Sequence, residues 1–207
     1  MALIDKIKWL GHSSILIEAE KTIYIDPYQL PDGLKPADLI LITHEHFDHC
    51  SPQDIKKIQS FQTVVVGPSD AKKKVFGQFK ILRPRDRLEA EGIKIEAVYA
   101  YNLIKDYHKR SEQHLGYVIT LKEGKIYHAG DTDFIPEMKT LKVDIALLPI
   151  GGEYTMNANE AVKAAEAINA QYTIPIHYGS VVGNIYDAQH FKDTCRVETK
   201  ILKRYKP

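Results

Sequence analysis

Apolar and polar residues along the 207-residue chain alternate in short runs, most of them the length of a strand. "KIKWLG" and "SILIEAE" are apolar-rich, and "KTIYIDP" is β-branched and stopped by a proline. "ADLILIT" is a continuous apolar run, the pattern of a strand buried on both faces. A helix-start signature follows in "SPQDIKKIQSF": Ser51 as N-cap, Pro52 at the first helical position and Asp54 in the first turn. "QTVVVG" predicts a further strand and "SDAKKKVF" a short helix.

The second half repeats the theme. "GIKIEAVYAYN", "HLGYVITL", "GKIYHAGD", "VDIALLPIGG", "YTIPIHYG" and "TKILKRY" predict strands, and "IPEMKTL" and "DAQHFKDTC" predict helices. "NANEAVKAAEAIN" carries Ala161, Val162, Ala165 and Ile168 at helical spacing, with Asn157 or Asn159 as cap. No linker, low-complexity segment or repeat interrupts the pattern, so residues 1–207 are expected to form one domain of α/β class. Two strand-rich halves, each closing with helices, fit two sheets packed together with helices outside. A single doubly wound parallel sheet fits less well, because strands cluster before the first helix.

Composition changes this picture little. The chain is 44% hydrophobic and 27% charged, and 28 Lys+Arg against 27 Asp+Glu leave a formal charge of +1, which advertises no polyanionic partner. "MALIDKIKWLGHSS" has neither the apolar core nor the cleavage site of a signal peptide, and no run approaches a membrane span. Cys50 and Cys195 are too few for a disulfide framework. These features predict a cytoplasmic protein with no membrane partner.

The chemistry concentrates in "THEHFDH", where a buried strand should hand over to a loop. His44 and His46 lie two apart, so in extended chain both rings point the same way. Asp48 and His49 follow as the chain turns towards the Ser51 helix. That offers two imidazoles to one ion, and a carboxylate with an imidazole to a second. Imidazole and carboxylate without thiolate suit Zn²⁺ first, with Mn²⁺ or Fe²⁺ as alternatives, at an open catalytic site.

"THEHFDH" resembles the HxHxDH motif of the metallo-β-lactamase superfamily. "WLGHSS", "IYIDP", "YHAGDTDFIPEM", "LLPIGGEYTM" and "IPIHYG" are similar to the branch that contains ascorbate-6-phosphate lactonase and many metal-dependent hydrolases. The resemblance spans nearly the whole chain and implies a four-layer αββα sandwich with two divalent ions. It assigns His44, His46 and a third histidine from "DYHKRSEQH" to one ion. Asp48, His49 and His177 go to the other, and Asp131 bridges both. Of His108 and His114, His108 is expected to be the ligand: it lies in a polar stretch after "AYN", whereas His114 begins to look like strand. Asp131 and His177 each follow an apolar strand, so both strand ends can reach the first loop.

Around these ligands, Asp26 is expected to accept a ligand imidazole's other N–H, which fixes its tautomer. His128, within "KIYHAG", is expected to lie buried behind the ligands, and Cys50 to be a packed thiol. His190 reads as surface. Glu45 alternates away from His46, so the glutamate of di-iron electron-transfer members is missing and the hydrolytic pattern is kept.

The resemblance implies hydrolysis by a hydroxide held between two ions, since bound metal lowers the pKa of water from ~15.7 towards ~7. Asp48 and Asp131 would orient it, and His12 and Tyr178 are candidates to protonate the leaving atom. Tyr154 and Thr155, in a Gly-led loop running into a helix N-terminus, are expected with Tyr178 to meet the substrate. Residues 71–87 hold seven Lys/Arg against one acid, which raises nucleic acid as a partner; a solvated face is the preferred reading. A small ester-, lactone- or phosphate-containing molecule is the expected substrate. The alternatives are a phosphodiesterase or ribonuclease, and an iron-dependent oxidative enzyme on the same site.

Overall fold

The computed structural model describes residues 2–207. Its first sheet comprises β1 (Ile7–Gly11), β2 (Ser14–Glu18), β3 (Thr22–Ile25), β4 (Leu39–Leu41), β5 (Val64–Gly67) and β6 (Gln78–Ile81), in that order. β1 to β3 are antiparallel, and β3 to β6 run parallel. The second sheet takes the order β12 (Tyr172–Ile176), β11 (Ile145–Pro149), β10 (Gly124–His128), β9 (Leu115–Leu121), β8 (Ile93–Tyr99) and β7 (Arg87–Ala90). Its β7 to β10 are antiparallel, and β10 to β12 parallel.

Strand alternation explains the layers. Ile17, Ile23, Leu39 and Val64 pair across the first sheet as one row, and Ile15, Ile25, Leu41 and Val66 as the next. Both rows pack against Ile95, Tyr117, Ile119, Ile126, Leu147 and Ile174 of the second sheet. The intervening residues face outward. Leu16, Tyr24, Ile40 and Val65 pack under Ile55 and Ile58 of α1 (Pro52–Ile58). Tyr127, Ala146 and Leu148 pack under Ala161 and Ala165 of α2 (Ala158–Ile168) and Phe191 of α3 (Ile185–Thr194). This is the expected αββα arrangement, and among the described residues no helix is long and apolar enough to cross a membrane.

Local signals hold at the helices. Ser51 Oγ accepts from Asp54 N, and Asn157 with Glu160 forms a reciprocal cap on α2. "SDAKKKVF" and "IPEMKTL" are shorter than expected, each a 3₁₀ turn.

Three segments differ from expectation. β6 and β7 lie in the basic stretch and were not legible as strands, because both are sheet edges whose side chains are mostly solvated. Lys80 and Arg87 sit on these edges, where charge discourages pairing with another chain. "TKILKRY" is not a strand but a strap. It bridges Thr173 of β12 through Thr199, and Trp9 of β1 through Arg204. Arg204 donates from Nε to Leu10 O (2.7 Å) and from Nη2 to Gln29 O (2.8 Å). The strap thus covers the edge strands at the other side of the sandwich.

Leu147 is fully buried between the sheets. Leu147→Ala should lower stability by about 2–5 kcal/mol in urea unfolding with an unchanged slope. A loss below about 1 kcal/mol would contradict this packing.

Candidate metal centre

One end of the sandwich gathers the chemistry. Asp26 follows β3, residues 43–49 follow β4, Asp131 follows β10 and His177 follows β12. His12 comes from the β1–β2 turn and His108 from the loop after β8. The two sheets are joined here: Tyr117 Oη donates to Ile42 O (2.6 Å), and Leu115 N to Thr43 O (2.9 Å).

Asp26 organises the first loop. Its Oδ1 accepts from Thr43 N (2.8 Å), and its Oδ2 from Thr43 Oγ1 (2.7 Å) and His49 Nδ1 (2.7 Å). The Thr43 hydroxyl then accepts from His44 Nδ1 at 3.0 Å. Both rings therefore turn their Nε2 lone pairs inward, His49 held directly and His44 through Thr43. A turn, with Cys50 N donating to His46 O at 2.8 Å, brings Asp48 and His49 round.

Eight side chains meet there. His46 Nδ1 lies 3.1 Å from His44 Nε2 and 3.2 Å from His108 Nε2. Asp131 Oδ2 lies 3.0 Å from His177 Nε2, 3.6 Å from His108 Nε2 and 3.9 Å from His44 Nε2, while its Oδ1 is 3.3 Å from His49 Nε2. Asp48 Oδ2 is 3.6 Å from His49 Nε2, 3.8 Å from His177 Nε2 and 3.0 Å from His12 Nε2. Gly130, at φ +65°, is required just before Asp131, since a Cβ there would stand 2.6 Å from Leu115 O. His12, Asp26, His108 and His177 are themselves left-handed, with φ between +49° and +59°. Such non-glycine residues cost about 1–3 kcal/mol each and cluster where function requires them.

These donors fit divalent metal. His49 Nε2, Asp131 Oδ1 and His177 Nε2 are buried without a hydrogen bond, and all three belong to the convergent set. Oxygen and imidazole nitrogen are the only donor types. Burial pushes His44 and His108 below an ordinary imidazole and His12 down to about 4, leaving neutral rings with free lone pairs. Burial opposes charge on His49 too, but Asp131, Asp26 and Asp48 raise its pKa well above the usual range. Burial would raise Asp131, yet His177 and His49 hold it well below an ordinary carboxylate. Its carboxylate stays charged in a site whose only cationic neighbours are imidazoles, with no Lys or Arg paired to it among the described residues.

The other expected site residues fall in different places. His114 stacks on the His44 ring (centroids 4.7 Å apart), with Nε2 3.9 Å from Glu112. His128 bonds backbone at both nitrogens, Ser13 O and Gly130 N, and fastens β10 to the β1–β2 turn. Cys50 packs under α1, its thiol pushed up to about 12 by burial, and His190 bonds Asn159 at the surface. Glu45 turns away to pair with Lys74 at 2.5 Å.

Two substrate contacts are corrected. Tyr178 stacks on Trp9 at 4.8 Å within the core, which buries its hydroxyl away from the cavity. Thr155 is fully buried and donates to Met156 O. The α2 N-terminus is occupied by its own Asn157–Glu160 cap, so it presents no vacant anion site. Tyr154 does line the cavity, and its backbone carbonyl accepts from His108 Nδ1 (3.1 Å) and Asn102 Nδ2 (2.7 Å).

Thr43, Asn102 and Asp133 escaped sequence reasoning. Asn102 also donates from Nδ2 to Tyr107 O, and from its backbone N to His108 O, closing the His108 loop. Asp133 accepts from Leu103 N and pairs with Lys105. The "YN" pair and the second acid of "GDTD" were the available signals.

A sandwich with this histidine–carboxylate end defines the metallo-β-lactamase superfamily, and the profile of the beta-lactamase superfamily domain matches residues 6–177. A UPF0173 metal-dependent hydrolase of Thermoplasma acidophilum is 35% identical, over 90% of this chain and 89% of its own. Another from Pyrococcus abyssi is 32% identical over 95% of each. A crystallised protein from Parabacteroides distasonis, described as a metal-dependent hydrolase, superposes with TM-score 0.84 at 33% identity, covering 95% of this chain and 93% of that one. A metallo hydrolase of Ignicoccus hospitalis, 22% identical, shares the fold at TM-score 0.79 over 97% and 95%. The chain belongs to the UPF0173 metal-dependent hydrolase family.

The buried rings set a pH dependence for the metal-free protein. His12, His44, His108, His114 (to about 3) and His128 all lie below the ordinary 6.5 because of burial, so between about pH 4 and 6.5 the unfolded chain binds more protons. Stability should therefore rise with pH across that window, by at most about 1.4 kcal/mol per ring per pH unit. The raised His49 works oppositely: its contribution is complete below 6.5 and is lost only as pH rises through its folded value. Urea midpoints that fall between pH 4 and 6.5 would contradict these assignments.

Proposed function

We propose that this chain is a dinuclear hydrolase of small ester-, lactone- or phosphate-containing molecules. The observation that carries this reading is Asp131. Its carboxylate approaches His44 and His108 through Oδ2, His177 also through Oδ2, and His49 through Oδ1. His44, His46 and His108 would hold one ion, Asp48, His49 and His177 a second, and Asp131 both. Imidazole-rich donors favour zinc, with manganese or iron as alternatives. Divalent ions bound there supply a nucleophile at neutral pH by lowering the pKa of water, and they polarise the attacked oxygen.

The chain's own residues do the rest. His12 donates from Nε2 to Asp48 and so directs that carboxylate into the cluster. Asp26 and Thr43 keep His49 and His44 in the tautomer that can ligate. Like Tyr178, His12 is buried and does not line the cavity, so its proposed role is to position Asp48 rather than to meet a leaving atom. Tyr107 and Tyr154, edge to face at 4.9 Å, close one side of the cavity where substrate would lie.

Metal content tests these roles. Zinc-reconstituted protein should hold two ions per chain by elemental analysis. Asp131→Ala should lose metal and at least about a hundredfold in turnover, beyond the 10–100-fold expected for a ligand-orienting partner. His108→Ala should lose more metal than His114→Ala. Saturation at one ion with activity intact would defeat the dinuclear reading, and the reverse order of the histidine variants would reassign the ligand.

A further inference from the structure

The cavity beside the cluster, about 280 Å³, has two chemically different walls. The histidines and aspartates of the cluster form one. Phe47, Tyr107, Tyr154 and Val181 form the other, and no Lys or Arg lines the cavity. Phe47, Tyr107 and Val181 are 63%, 52% and 39% exposed, and they line one cavity together. Leu103 and Ile104, on the same loop as Tyr107, and Ile185 and Tyr186, in the first turn of α3 just after Val181, are also exposed. Among the described residues Phe61 and Phe76 are exposed elsewhere, but only at this mouth do exposed apolar side chains line a cavity beside the metal-type cluster, a mark of ligand binding.

Most cations on the segments beside the cavity are engaged, and Lys109, next to His108, is exposed and does not line it. Lys105 pairs with Asp133, Lys74 with Glu45, and Arg110 with Glu137 at 3.3 Å. Arg204 is spent on the carbonyls of Leu10 and Gln29. A phosphodiester within a nucleic acid brings further anionic groups, whose recognition relies on Lys and Arg. This wall has none to give.

We infer that, if the hydrolase reading holds, the substrate class is an uncharged carboxylic ester or lactone bearing an apolar group, which lies against Phe47, Tyr107 and Val181. Water adds to the carbonyl carbon and the acyl carbon–oxygen bond breaks. The alcohol leaves with one of water's protons, and the acid keeps water's oxygen and releases the other proton. A lactone gives both products in one molecule.

The test compares p-nitrophenyl acetate, butyrate and hexanoate with bis(p-nitrophenyl) phosphate on zinc-loaded protein. In parallel, ligand-observed NMR follows acetamide and hexanamide binding to metal-free protein. kcat/KM should rise about fourfold per methylene and exceed that for the phosphodiester. Hexanamide should bind more tightly than acetamide, and Phe47→Ala and Tyr107→Ala should flatten both trends. Faster turnover of the phosphodiester, or no dependence on chain length in turnover and binding alike, would overturn the inference and leave the hydrolase reading intact. If protein holding two ions hydrolysed none of these compounds yet bound hexanamide through Phe47, the hydrolase reading would fail and the apolar wall would stand as a recognition surface.

Discussion

Asp26, Asp48 and Asp131 are buried at one end of the sandwich, and among the described residues no Lys or Arg forms an ion pair with any of them. Buried carboxylates are costly unless paired, and here, apart from Thr43 on Asp26, imidazoles are what approach them. One imidazole, His49, is drawn towards the charged form by all three acids, while His44, His12 and His108 are pushed towards neutrality by the same burial. A site that accumulates negative charge and neutral lone pairs together is arranged for a cation the chain itself does not provide. Much of the local architecture follows from that constraint.

The sandwich meets it by bringing strand ends to one place. Parallel pairing of β3 with β4 sets Asp26 beside the histidine loop, and parallel pairing of β10, β11 and β12 sets Asp131 and His177 opposite. The hydrogen bond from Tyr117 to Ile42 O ties the two sheets where these ends meet. Four left-handed residues turn the chain sharply enough for side chains to converge, and the rigid layers beneath absorb the strain. The loops that complete the site, 102–108 and 151–156, are fastened to each other by Asn102 and the Tyr154 carbonyl. Loop 102–108 and residues 179–186 carry exposed apolar side chains, so the cluster and the apolar side of the cavity share a scaffold.

Much of this was legible in the chain, for identifiable reasons. Runs such as "ADLILIT" announce strands covered on both faces because both faces are covered: Leu39 and Leu41 meet the second sheet, and Ile40 meets α1. His44, His46, Asp48 and His49 stand out because their spacing is local. Asp131 and His177 needed the family resemblance, since only tertiary structure brings β10 and β12 to the loop after β4. β6 and β7 were hidden by solvated edge positions, and "TKILKRY" misled because its residues cover strand edges without forming a ladder of their own. Tyr178 and Thr155 sit beside revealing motifs, yet backbone direction turns them into the core. Asn102 and Thr43 act through local hydrogen-bond networks that leave no periodic trace.

The central claim is that Asp131 is shared by two metal ions. Anomalous diffraction from zinc-reconstituted crystals tests it most directly. The account predicts two peaks, one among His44, His46 and His108 and one among Asp48, His49 and His177, with the Asp131 carboxylate contacting both. A single peak at full zinc occupancy, or two peaks with Asp131 touching only one, would contradict it.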